Sequence, residues 1–337
     1  MRRKLAARIA VLCLTVVVVV AGAGVAPTLL GDDDEPDRNT DIPEYDPASV
    51  APDPIAATGA IEPSPAPGTD ATGTILIDRG HNNRFERTDI EPLVDALVRQ
   101  GYHVEFYTQG DLATHLEDVD AFLVIDPGTE YLPGDINDVR EFTANGGRLV
   151  MVGEPDRTAV RATLGGTAVQ TQQSQLTTIA SRYGMSVDTQ YLYNQEHADG
   201  TFKHVLARPT GQGDLDGVER TAMYTAAAVT ARDGTVLLRG APNTHKSGSD
   251  DVSGEYPVAV RKNNALLLGD TTFLRGDRFN VADNEAFIAY LVEFMIEGDH
   301  RPPEPTTGPP ESERDDSGST ATPTATPTPT PTPTPSE

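Results

Sequence analysis

Residues 74–107 read TILIDRGHNNRFERTDIEPLVDALVRQGYHVEFY. Thr74, Ile75, Leu76 and Ile77 form a short apolar run entering Asp78, the pattern of a strand buried on both faces. From Asp89 to Gln100, apolar residues Ile90, Leu93, Val94, Leu97 and Val98 recur at helical spacing. Thr88 or Asp89 can cap the start of that helix, Pro92 suits its first turn and Gly101 ends it. His103 to Tyr107 then reads as a second strand. Strand, helix, strand in 34 residues is a βαβ unit, which implies a right-handed crossover and parallel pairing.

Further along, Ala121 to Ile125 gives a third strand, and a helix from about Asp135 to Asn145 stops at Gly146 and Gly147. Leu149 to Val152 gives a fourth strand. Between Thr158 and Asn264 the pattern changes: one helix near 175–183 precedes short strand-like runs at 222–230, 235–238 and 257–260. The expectation is therefore an α/β fold of three layers around a mostly parallel sheet, with an antiparallel excursion near 185–262. Ala265 to Gly269 returns to the core as a strand, and a final helix from Asp283 to Glu297 buries Phe287, Leu291, Phe294 and Met295.

The flanks have other compositions. Arg2, Arg3, Lys4 and Arg8 precede an uncharged run that opens at Ile9 and closes at Leu30. At 1.5 Å per residue the run spans about 33 Å, enough for a bilayer core. The basic flank sets Met1 inside and the main domain outside, on a single-pass membrane anchor. Cleavage as a signal peptide near Ala21, Gly22 and Ala23 is the alternative, and would release a secreted domain. Residues 1–31 are thus an anchor or signal, and 32–71 an acidic, Pro-rich spacer without apolar period. Residues 72–298 are the folded domain, and 299–337 a Thr/Pro-rich tail. That tail favours polyproline II and offers threonines for glycosylation, or is simply solvated.

The formal charge is −25, and Lys4, Lys203, Lys246 and Lys262 are the only lysines. An acidic, lysine-poor surface suits solubility in molar salt. It disfavours nucleic acid, whose phosphates require clustered Lys and Arg. The single cysteine, Cys13, lies in the apolar run, so the domain has no disulfide, Cys-based metal site or thiol nucleophile.

Ligands of open α/β sheets sit beyond the carboxyl ends of the strands. Here those ends deliver Asp78, His81, Asn82, Asn83 and Arg84, then Asp126, then Glu154, then Asp270 and Thr272. These nine residues are the candidate ligand rim, although loops that follow strands also favour Asp as a capping residue. His81 has three readings: general base, ligand, or hydrogen-bonded orienter of its loop. No cofactor is expected, no residue is assigned as catalytic, and the identity of any metal is left open.

Three motifs in order, ILIDRGHNNRF…DIEPLVDALVRQGYHVEF, FLVIDPG…VREFTANGGRLVMVGE and LLLGDTTFLRGD…ADNEAFIAYLVEFM, carry a resemblance over about 225 residues. They resemble an uncharacterised prokaryotic domain family, of haloarchaeal type, in the class I glutamine amidotransferase-like superfamily. The resemblance implies a flavodoxin/amidotransferase-like sheet and an association with membrane complexes, including AAA-type ATPases. It also implies a nucleophilic cysteine after the strand matching Leu149 to Val152, where this chain has Gly153, Glu154 and Pro155. Without a thiolate no glutamine-derived acyl-enzyme can form. The expected function is a non-catalytic, membrane-tethered extracytoplasmic binding or scaffold protein, with envelope or membrane-complex proteins as partners. The alternatives are a metal-assisted or carboxylate/His hydrolase at the rim and a structural envelope component.

Overall fold

The computed structural model describes residues 59–64, 73–163, 166–248 and 252–300. The strands are β1 (Thr74–Asp78), β2 (His103–Tyr107), β3 (Ala121–Ile125), β4 (Arg148–Val152), β5 (Arg157–Thr163), β6 (Gly166–Gln172), β7 (Met185–Tyr193) and β8 (His204–Pro209). They continue with β9 (Thr221–Tyr224), β10 (Ala227–Ala231), β11 (Thr235–Gly240), β12 (Thr244–Lys246), β13 (Ser253–Gly254), β14 (Pro257–Lys262) and β15 (Ala265–Leu268). The helices are α1 (Glu91–Arg99), α2 (Leu112–Leu116), α3 (Pro133–Ala144), α4 (Thr177–Ala180) and α5 (Asn284–Ile296).

The central sheet runs β2-β1-β3-β4-β15-β14-β11-β8-β9. Its first five strands are parallel. From β14 to β9 the pairing is antiparallel. The interior parallel strands β1, β3, β4 and β15 read as nearly unbroken apolar runs because both of their faces are covered. On β3, Leu123 and Ile125 enter one core with Leu93, Leu97, Phe287 and Phe294 of α1 and α5. Phe122 and Val124 enter the other, with Leu116, Ile136, Val139 and Ile179 of α2, α3 and α4. That is the expected three-layer arrangement. At the free edge, β2 alternates exposed and partly buried residues, with His103 and Glu105 outward, as an edge strand requires.

Part of the antiparallel region extends the central sheet rather than leaving it, since β14, β11, β8 and β9 continue it edgewise. The remainder forms a second sheet, β10-β7-β12-β13. The single strand expected over 222–230 is two, broken where Thr225 takes a positive φ of 53°. One half closes the central sheet and the other joins the second. Gly269 sits at this junction: a Cβ there would lie 2.1 Å from the Ala227 carbonyl oxygen. The helix of 91–99 begins at Glu91, with neither Thr88 nor Asp89 as its cap; the Asp89 carboxylate instead accepts the Glu86 N–H at 2.8 Å.

The β5–β6 hairpin was not expected from the sequence. It stands as a two-stranded sheet of its own, with Val160 opposite Val169. The second departure is residues 59–64, assigned to the spacer. Ile61 is buried in the core with α1 and α5, the Ser64 N–H donates to Glu293 Oε1 at 2.6 Å, and Gln100 Nε2 donates to the Pro63 carbonyl at 3.2 Å. The anchor segment 1–31 and the tail from 301 onward lie outside the described residues. Among the described residues no helix is long and apolar enough to cross a membrane.

Candidate functional site

Because β1, β3, β4 and β15 are consecutive neighbours, Asp78, Asp126, Glu154 and Asp270 stand at the carboxyl ends of four adjacent parallel strands. All four are buried. A buried carboxylate survives only with polar partners, and each of the four has them, although Glu154 Oε2 has an ion pair and no hydrogen bond.

The Asp78 carboxylate accepts from Gly80 N, His81 Nδ1 and Asn83 Nδ2, each at 3.0 Å, and from the Tyr131 hydroxyl. Both carboxylate oxygens lie 3.0 Å from His81 Nδ1, the nitrogen placed to donate to Asp78. Nε2 lies 3.8 Å from Asp135 Oδ2. The Tyr131 ring stacks on the imidazole, with centroids 3.7 Å apart. Burial, then the charge of Asp78, pushes the Tyr131 hydroxyl well above its ordinary value, which keeps it a donor.

The loop after β1 is stitched to the loop after β3. Asn82 takes φ +51° and Asp126 φ +38°, left-handed conformations that Asn and Asp tolerate. The His81 carbonyl accepts from Gly128 and Thr129, and Asn83 Nδ2 also donates to the Ile125 carbonyl at 2.9 Å. Gly128 abuts Asn82, whose carbonyl oxygen would lie 2.7 Å from a Cβ there. Arg84 clamps Asp126 through two bonds of 2.9 and 2.6 Å, and its third nitrogen donates to the Gln173 carbonyl at 2.9 Å.

On the other side of Asp126, Glu154 Oε1 accepts from the Thr271 N–H at 2.9 Å and from the Thr271 hydroxyl. Arg157 reaches Glu154 Oε2 at 2.8 Å. Asp270 accepts from the Thr272 N–H at 2.9 Å and the Tyr224 N–H at 3.1 Å. Burial raises both carboxyls. For Glu154 the charge of Asp270 adds to burial, and Arg157 and Thr271 only partly offset it, leaving the group at about 7. Asp270 rises to about 6. Burial, joined at Glu154 by the charge of Asp270, is what favours the protonated forms.

A cleft of about 80 Å³ is lined by Arg84, Arg157, Arg275, Asp89, Thr271 and Thr272, with apolar walls from Phe85, Ile90 and Ile125. Of the nine rim candidates, Arg84 and Thr272 line it. The four carboxylates expected to surround one concavity do not line it; each is buried and faces internal partners. Arg157 and Arg275 were missed; their side chains are 48% and 49% exposed and carry no periodic or spacing signal. Tyr131, which completes the Asp78 network, was missed because it follows β3 by six residues in an irregular loop. Among the described residues no three His, Cys, Asp or Glu side chains are grouped to hold a metal ion.

The sequence profile of a family described as Domain of unknown function (DUF4350) matches residues 91–292, more than half of the chain. The chain belongs to DUF4350. The match spans α1 to α5, and so includes three of the four rim-bearing strands; Asp78 and His81 lie before it. No curated protein matches the sequence. Among solved structures, the DUF4350 chain is similar to the mmIFT52 N-terminal domain, with TM-score 0.52 and 9% identity over 67% of this chain and 98% of that one. It also matches a ThuA-like protein from Bacteroides uniformis, with TM-score 0.40 and 11% identity over 68% and 94% of the two chains. At these identities the likeness to the first is one of fold.

Proposed function

We propose that this DUF4350 chain is a non-catalytic binding module, held outside a membrane by residues 9–30, whose rim takes a small anionic group such as a phosphate or carboxylate. The observation that carries the reading is the cleft with three arginines. Its buried carboxylates face internal partners; Arg157 pairs with Glu154, and Arg275 with Asp277 and Asp89, yet both arginine side chains stay half-exposed and line the cleft with Thr271 and Thr272. A net charge of −25 repels anions at long range, but in molar salt that field is screened within about 3 Å while guanidinium contacts persist. The resemblance of the sequence motifs to the amidotransferase-like superfamily, taken as part of this proposal, fits the same reading. Where that superfamily would carry its thiolate, Glu154 is buried and ion-paired.

Titration calorimetry of the full chain in 2 M KCl with inorganic phosphate and with acetate tests this. Saturable binding that Arg157→Ala and Arg275→Ala each weaken at least about tenfold is expected, the loss of one charge-assisted contact. Heats without saturation, or binding indifferent to both substitutions, would refute it. A second reading, a carboxylate–His hydrolase, draws on the Asp78–His81 pair. It is weaker because His81 Nε2 faces the Asp135 carboxylate at 3.8 Å.

A further inference from the structure

In a chain with 51 acidic residues, 157–187 contains none, and its charged residues are Arg157, Arg161 and Arg182. The β5–β6 hairpin opens this stretch. It is a two-stranded sheet whose strands pair only with each other among the described residues. Val160 and Val169 face each other across it and are 67% and 70% exposed. An isolated hairpin of this size is marginally stable in water, and an uncovered edge invites a further strand. The base is fixed: Arg157 holds Glu154, and Gln173 accepts from Arg84 while donating to Asp156.

We infer that this hairpin is a self-association arm, and that β6 pairs antiparallel with β6 of a second copy across a two-fold axis. The choice of occupant follows from charge. Two copies, each at −25, repel through most of their surface, so the acid-free arm is where they approach at least cost. The choice of strand follows too. β6 reads GTAVQTQ and brings no charge to the seam, whereas pairing β5 with its copy would bring two arginines of each strand, Arg157 and Arg161, into one seam. The product is a sheet β5-β6-β6-β5, with the valine pairs of both copies continuous on one face. A like-strand seam is isologous and closes at two copies. It lies beyond the rim ligand reading and does not depend on it.

The test uses the full chain in detergent, in 2 M KCl, with Cys13→Ala as background. Sedimentation velocity is expected to show a concentration-dependent monomer–dimer equilibrium. Val169→Asp and Ala168→Pro are expected to raise the dimer dissociation constant at least tenfold, and Val252→Asp, an exposed valine outside the hairpin, to leave it unchanged. Single cysteines at Thr167, Val169 and Thr171 are expected to form an oxidised dimer most efficiently at the one nearest the axis, and Val252→Cys not to. A monomer at every concentration, or a dimer insensitive to both hairpin substitutions, would overturn the inference. Phosphate binding retained in a monomeric Val169→Asp variant separates this arm from the rim.

Discussion

Asp78 accepts four hydrogen bonds in a site closed to water, so its two oxygens are a fixed demand of the loop. In Asp78→Asn an amide N–H must face donors, and the loss is expected to be about 1–3 kcal/mol, read as a lower urea midpoint, with phosphate affinity unchanged. Glu154 and Asp270 make the opposite kind of statement. Their folded pKa values lie above the ordinary 4.5 and 3.8. Between those values and about 7 the folded chain holds protons that the unfolded chain has released, so stability falls as pH rises through that window. Urea midpoints from pH 4 to 8 should show the decline, and Glu154→Gln should flatten it. The strand-end acids were legible in the sequence because a strand's end fixes where its next side chain goes. Their condition was not, because Tyr131 and Thr271 reach them from loops that no period describes, and Arg157 from the start of the unannounced β5.

Legibility differs just as sharply between the two halves of the sheet. β1, β3, β4 and β15 are buried on both faces, so their sequences are mostly apolar and stand out. β7 and β8 mix exposed and buried positions, and the β5–β6 hairpin buries almost nothing, so neither leaves an apolar signature. The strand break at Thr225 is a backbone event without a Gly or Pro to announce it. Gly269 is the element-scale test of how the halves join. Adding a methyl group at Gly269→Ala drives it into the Ala227 carbonyl, and a loss of about 1–3 kcal/mol is expected, seen as a lower melting temperature.

For the molecule as a whole, charge sets the conditions. At −25 the folded state carries self-repulsion that salt relieves, so the melting temperature is expected to climb between about 0.1 M and 2 M KCl. A flat response would remove the high-salt reading. The proposed topology is checked by protease added to intact cells, which should remove an epitope tag placed after Glu337. What the composition could not announce was the point where spacer becomes domain, since Ile61 is a single apolar residue amid Pro, Ala and Thr.

That strap has a mechanical consequence. Force drawn through the chain from the residue 59 side meets Ile61, the Pro63–Gln100 bond and the Ser64–Glu293 bond one after another, so it peels rather than shears. Contacts loaded in series yield singly, at the strength of the weakest. The strap is therefore a fuse: it lets out slack under tension before any load reaches β1, which is hydrogen-bonded along both edges and anchors the sheet.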